Sequence, residues 1–472
     1  MENNEIDALP SSMQKAYAKA KEMIEKYDDI KIYSHVDCDG ISAGAILSIL
    51  LERLDKEFDI EIVSLDLLDD IPINHELTIF SDLGSGQFIE KNATVDNNIL
   101  ILDHHPSRRL RGYHPENVGE FLEINPMYYS INGTREVSGG GLCYFLAKEF
   151  GFTDLSWIGV LAAVGDMQNS QTGKLEGVNR IILGDSVYED LIRVNNDLNI
   201  YGRQTRPFYK ALSYFSDVQL PITNNTNETL ALLNDLDIPV KYGEEWLTLS
   251  DLTREEKSRV GSELLSMLSN ELPSEYVQYI PKLIFADTYD LLNEVEHTTL
   301  RDISEFSSAM NACVRNDRPD IALRIIKGER DEAYEELKHL SWKHRRYLAQ
   351  VINSFPTGSI IQMDNIQYFD GSGIRSVVVG TITGMLLGYG DWRKPLLGFA
   401  EVSNENHDFK ISLRCSRLLS YSGIHFGNLI REVSAEVGGS GGGHDVACGA
   451  YIPHDKLNEF LDEFNSRLDG VI

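Results

Sequence analysis

The sequence predicts an α/β protein with a parallel-sheet domain over 1–175, a mainly helical insert over 176–355 and a second, smaller α/β domain over 356–472. Two observations carry this. From residue 28 to about 170, short β-rich runs alternate with helical patterns, as parallel sheets require. Acidic and imidazole side chains stand where those runs end, the edge at which open α/β sheets collect ligands.

Ile30 to Ser34 reads as the first strand, with a helix near Ile41 to Phe58 and further strands at Ile60 to Leu65, Leu77 to Ser81, Ile99 to Asp103 and Phe121 to Ile124. Ser138-Gly139-Gly140-Gly141 opens a helix to Phe150, and Leu155 to Met167 reads as another, with Asp154 as its N-cap. From 171 to 355 the chain turns to Asn-rich loops, such as Asn224-Asn225-Thr226-Asn227, and charged helical patterns, such as Glu329 to Ser354. Strands return at Ser359 to Met363, Leu396 to Val402, Phe409 to Leu413 and Ala447 to Ile452, with helices at Thr381 to Leu387 and His425 to Val437.

The chain has 472 residues, long enough for two or three domains, and its 42% apolar content is ordinary for a globular protein. Five scattered cysteines without a Cys-x-x-Cys give neither a disulfide framework nor a thiolate zinc site, so reduced thiols are expected. The polar N-terminus has no apolar h-region, and the longest apolar run, Ile41 to Leu51, is too short to cross a bilayer. A cytoplasmic protein without membrane association follows as the expectation. A formal charge of -30 argues against indiscriminate attraction to nucleic acid, so such a substrate needs a local basic track or bound metals.

His35-Val36-Asp37-Cys38-Asp39-Gly40, Asp82, Asp103-His104-His105 and Asp166 together have the composition of a two-metal site. Asp37 and Asp39 converge only if the loop curls, which Gly40 permits. That segment alone reads equally well as a polar turn with Asp capping the next helix. Adjacent histidines after an Ile-Leu-Ile-Leu strand are wasteful in solvent, and Asp166 ends an apolar helical run where the helix dipole disfavours an acid unless a cation compensates it. Carboxylates and imidazoles without thiolate suit Mn²⁺, with Mg²⁺ or Co²⁺ as alternatives. Cys38 reads as packing.

Gly438-Gly439-Ser440-Gly441-Gly442-Gly443-His444 reads either as a flexible loop or as a backbone nest for an anionic group, with Arg414 as a phosphate clamp. Two basic clusters offer a track for single strands: Arg108, Arg109 and Arg111, and Trp342-Lys343-His344-Arg345-Arg346-Tyr347. A solvated face is the plainer reading of each.

The motifs His35-Val-Asp37-Cys-Asp39-Gly, Asp82, Asp103-His104-His105 and Gly165-Asp166 resemble those of the DHH phosphoesterases. The tail Gly441-Gly442-Gly443-His444, with Ser412-Leu413-Arg414 upstream, resembles the DHH-associated domain. Within the superfamily, Leu300-Arg301-Asp302 and Met310-Asn311-Ala312-Cys313 are similar to segments of archaeal RecJ-like nucleases, including those associated with the GINS replication complex. The resemblance implies a cleft between two α/β domains, two Mn²⁺ ions and stepwise hydrolysis of single-stranded DNA or RNA to mononucleotides in replication or repair. It implies that His35 and Asp37 hold one ion, that Asp39, His104 and Asp166 hold the other, and that Asp82 bridges. Asp103 and His105 become supporting or acid/base groups, and Arg414, Gly442, Gly443 and His444 hold the terminal nucleotide. A phosphodiesterase for oligoribonucleotides or cyclic dinucleotides, and a replisome scaffold without catalysis, are the competing expectations.

Overall fold

The computed structural model describes residues 8–355, 358–402 and 408–471. Helix α1 (Ser11–Lys26) precedes β1 (Asp29–His35), α2 (Cys38–Arg53), β2 (Glu57–Val63), β3 (Leu77–Ser81), β4 (Asn98–Leu102) and β5 (Phe121–Ile124), and α3 (Gly139–Glu149), α4 (Ser156–Gly165) and α5 (Asn179–Tyr188) follow. The five strands form one all-parallel sheet in the order β2-β1-β3-β4-β5. Every residue of β3 and β4 is buried, as in parallel strands covered on both faces. Alternate side chains enter opposite cores: Ile79, Leu100 and Leu102 pack with the helices, Phe80, Ile99 and Ile101 with the other layer.

The chain passes through β6 (Ile192–Leu198) into α6 (Phe208–Ser213), α7 (Thr226–Asp235), the hairpin β7 (Lys241–Tyr242) and β8 (Glu245–Trp246), α8 (Arg254–Glu271) and α9 (Ile280–Ile284), and returns along β9 (Phe285–Leu291). Helices α10 (Ile303–Val314), α11 (Pro319–Ile326) and α12 (Glu332–Ser354) lead to β10 (Ile361–Gln362), β11 (Gln367–Asp370), α13 (Val379–Leu386), β12 (Leu396–Glu401) and β13 (Phe409–Arg414). Helices α14 (Arg417–Tyr421) and α15 (Phe426–Glu436), β14 (Ser440–Gly443), β15 (Ala447–Ile452) and α16 (Leu457–Ser466) complete the fold. The second sheet is mixed, in the order β10-β11-β12-β13-β15-β14, with β11 and β12 its parallel pair.

Two compact units result, Met1–Asn195 with Asp287–Trp342, and Asn196–Ala286 with Lys343–Ile472. The stretch 176–355, expected as one insert, is therefore divided between them. The reason is where its apolar faces go. Phe306, Met310, Ile321 and Ile325 of α10 and α11 share a core with Ile41 and Leu161, whereas Leu212, Leu233 and Leu264 share one with Trp392 and Leu418. Arg417 fixes the second association by bidentate pairing with Asp217. Among the described residues, no helix is long and apolar enough to cross a membrane.

Several boundaries differ from expectation. Helix α2 stops at Arg53, before the expected Phe58, because Glu57–Val63 pairs along β1. Asp154 does not cap α4; its carboxylate takes a bidentate bond from Arg53.

Candidate metal centre

The sheet order reverses direction between β1 and β3, the switch point at which doubly wound sheets open a crevice at their carboxyl edge. His35 ends β1, Asp82 follows β3 and Asp103 follows β4. Asp37 is the N-cap of α2, its Oδ1 accepting from the Gly40 amide at 2.9 Å, while Asp39 lies inside the first turn. The glycine is required by close approach, since a Cβ there would lie 2.2 Å from the His35 carbonyl oxygen. The Cys38 amide donates to Asn311 Oδ1 from α10, and the Cys38 side chain is buried against Gly165, so it is packing.

Three overlapping groups of donors form among the described residues: His35, Asp37 and Asp82; Asp82, His104 and His105; and Asp39, His104 and Asp166, so that Asp82 and His104 are each shared. Asp82 Oδ2 is 3.4 Å from His35 Nδ1, and its Oδ1 is 3.2 Å from His104 Nε2. His35 Nδ1 lies 2.8 Å from Asp37 Oδ2, and His104 Nε2 is 3.5 Å from Asp39 Oδ2 and 3.8 Å from Asp166 Oδ2. Asp82 is fully buried in the left-handed region, φ 60°, and packs so tightly on α3 that a Cβ at Gly139 would come within 2.5 Å of it. Aspartate is among the few residues besides glycine that take such φ, and the tight contact with α3 holds this one in place.

Supporting bonds fix the donors. The carbonyl of Gly133 accepts from His104 Nδ1 at 2.6 Å, which places the proton on Nδ1 and leaves the Nε2 lone pair among the three aspartates. The amides of Gly139 and Gly140, at the start of α3, donate to the two oxygens of Asp39 at 2.8 and 2.7 Å. Asp103 accepts from the Ser85 amide and from His105 Nδ1, both at 2.8 Å.

The ensemble suits divalent cations. The oxygens of Asp82, His35 Nδ1 and His104 Nε2 are buried and face one another and the neighbouring aspartates at ion-pair distances without well-formed hydrogen bonds. Burial, and then the neighbouring Asp82 carboxylate, push the Asp39 carboxyl well above its ordinary range, a repulsion that a cation removes. Burial disfavours the charged form of His35 and His104, yet the surrounding aspartates outweigh it and raise both imidazoles. Buried acids that call for positive charge are what a metal centre supplies.

Two residues of the site gave no signal in sequence. Gln168 donates to Asp166 Oδ2 at 2.9 Å and is itself held by Asn179 Nδ2 at 2.6 Å; both are buried amides in a segment that reads as loop and helix start.

The expected substrate residues divide. Arg109 is a correction: it is buried, its guanidinium paired with Glu90 and donating to the Gly84 and Gln87 carbonyls, so it braces the loop and has nothing left for phosphate. Arg108 is exposed, and its side chain has no ion-pair partner among the described residues. For Gly441, Gly442 and Gly443 the correction concerns conformation: they form the edge strand β14, paired with Ala450, Gly449 and Cys448 of β15, and not a loop or a curled nest. Glycine is needed there for packing, because a Cβ on Gly441 would meet Ser434 Oγ at 2.7 Å, and one on Gly427 of α15 would meet the Gly443 oxygen at 2.0 Å. The His444 amide continues the edge by donating to the Ala447 carbonyl. Arg414 ends β13, donates to the Leu413 carbonyl and has no carboxylate partner among the described residues; burial pulls its pKa down.

A parallel sheet with a paired-acid edge accompanies a mixed-sheet domain, and the chain belongs to the DHH superfamily. Residues 200–280 match the DHH-CID domain and residues 364–470 the DHHA1 domain. The Methanocaldococcus jannaschii protein MJ0831 is 30% identical over 459 residues, covering 96% of this chain and 95% of the relative. Among solved structures, CDC45 from Entamoeba histolytica has a TM-score of 0.59 at 15% identity, covering 97% of this chain and 98% of its own. RecJ from Thermus thermophilus, in complex with Mn²⁺, has a TM-score of 0.57 at 14% identity, covering 98% of this chain and 56% of its own. These likenesses establish the fold.

Proposed function

We propose that this protein is a Mn²⁺-dependent phosphodiesterase that removes mononucleotides from single-stranded DNA or RNA. The observation that carries the proposal is the placing of the two Asp82 oxygens against two separate donor groups. His35 and Asp37 would hold one ion, Asp39, His104 and Asp166 the other, with Asp82 shared. The donor set, carboxylate and imidazole without thiolate, suits Mn²⁺ ahead of zinc. Divalent ions supply Lewis-acid chemistry here, screening the phosphodiester charge and acidifying water.

The chain's own groups do the rest. Asp103 fixes His105 through Nδ1, which leaves Nε2 of a side chain 43% exposed to protonate the departing oxygen. Burial and the adjacent His104 oppose charging of His105, but Asp103 and Asp82 outweigh them and raise its pKa, the direction an acid needs near neutrality. Arg414, without a carboxylate partner among the described residues, would take the phosphate of the terminal nucleotide bidentately, and Arg108 would meet the strand. A role in replication, with a GINS-type complex as partner, draws support from the fold shared with CDC45.

The test is hydrolysis of end-labelled single-stranded DNA and RNA with Mn²⁺, resolving the first product from each end. Mononucleotide release that vanishes in Asp82→Ala and His104→Ala is the expected result. A folded protein that releases nothing would point to the scaffold reading, and turnover confined to fragments of two or three nucleotides to the oligonucleotide reading.

A further inference from the structure

Helix α12 carries a surface that the hydrolytic site does not use. Its buried stripe is Leu337, Leu340, His344 and Leu348, spaced as one face of a helix. The opposite face exposes His339, Trp342, Lys343, Arg345 and Arg346, with Trp342 51% exposed and the His339 ring stacked on it at 6.2 Å. Half of the tryptophan surface faces solvent, and an exposed aromatic set among cations offers a stacking face.

Charge sharpens the argument. The chain has 73 acidic residues against 43 basic ones, yet none lies between Glu336 and Asp364. Along most helices the cations are answered by nearby acids, as Lys338 is by Glu335 at 2.6 Å. Lys343 and Arg345 have no ion-pair partner among the described residues. One turn further on, Arg375 lies over the Tyr347 ring at 5.0 Å and its amide donates to the Tyr347 hydroxyl, adding a cation from a second element. A positive aromatic patch on a strongly acidic molecule repels most of what the rest of the surface tolerates and favours a polyanion with stackable rings.

We infer that this face of α12 is a track for single-stranded nucleic acid: Lys343 and Arg345 contact phosphates, and a base stacks on Trp342. The inference rests on the phosphodiesterase reading, because it names how that site's polymeric substrate is held, but its test is independent of hydrolysis. With the full chain in EDTA, the anisotropy of a labelled 20-nucleotide oligo(dT) is titrated at several salt concentrations. Reversing both charges, Lys343→Glu with Arg345→Glu, is expected to weaken binding roughly 10-fold or more and to flatten the dependence of log Kd on log salt by about 1.4, since each phosphate contact on a single strand contributes about 0.7. Trp342→Ala is expected to weaken it roughly 5-fold or more with the salt slope kept, as loss of stacking does. The charge-preserving pair Lys343→Arg with Arg345→Lys should bind like the wild type, and equal melting temperatures identify an intact fold.

Unchanged affinity and slope in the charge-reversed protein would overturn the inference. So would a duplex competing as well as the single strand with no effect of Trp342→Ala, or loss of a protein partner with strand affinity intact. Hydrolysis in the wild type alongside unaffected α12 variants defeats only this inference, whereas strand binding that depends on α12 without hydrolysis defeats only the phosphodiesterase reading.

Discussion

Asp82 is the residue on which the centre turns. Buried, at positive φ and with only two imidazoles at ion-pair distance from its oxygens, it is costly to keep charged unless further positive charge is brought to it. Asp82→Ala and His104→Ala should each lower Mn²⁺-dependent nucleotide release by about 10³-fold or more while leaving the circular dichroism spectrum unchanged, since each removes a donor to the ions. Gln168 is a subtler case. Gln168→Leu keeps the volume but strips Asp166 of a hydrogen bond, and outer contacts of this kind are worth roughly 10- to 100-fold in metal affinity. Calorimetric Mn²⁺ titration of the variant checks that figure; an unchanged affinity would show that Gln168 serves packing only.

Elements show how much of this was legible beforehand. Four strands of the first sheet could be read to within a residue, because runs such as Leu77–Ser81 and Asn98–Leu102 are largely apolar and bounded by polar turns, whereas the start of β2 reads as helix. The candidate donors His35, Asp82, Asp103 and His104 could be placed by the same runs, since they stand at the ends of β1, β3 and β4, whereas Asp39 lies in α2 and Asp166 at the end of α4. Strand β14 could not be read that way. Ser440–Gly443 has no side-chain pattern, and it is a strand only because β15 supplies partners and α15 leaves no room for a Cβ. Arg109 and Arg108 look identical in sequence, and only the buried Glu90 beside one of them separates their roles. Gly427→Ala tests the packing account of β14: it should destabilise the protein by about 1–3 kcal/mol, read as a lower denaturant midpoint, because the Gly443 carbonyl belongs to a paired strand and cannot retreat cheaply. A midpoint equal to wild type would mean that α15 is free to shift.

For the whole molecule, the division into units follows apolar faces and not sequence order. The chain visits the first unit twice, and α10 and α11 cover the helices that carry Asp39 and Asp166 before α12 departs. The candidate centre is thereby built on a core assembled from distant segments, Asn311 holding the Cys38 amide among them. Mn²⁺ should therefore raise the melting temperature of the wild type, by mass action on a state that only the folded chain offers, and should leave Asp82→Ala where it was.

The proposed pair of ions sharing the Asp82 carboxylate is decided by isothermal titration of the metal-stripped full chain with Mn²⁺, on wild type and Asp82→Ala in parallel. Two ions per wild-type chain, and the loss of both on replacing Asp82, are expected; a single ion, or binding that survives the replacement, would rule the shared centre out.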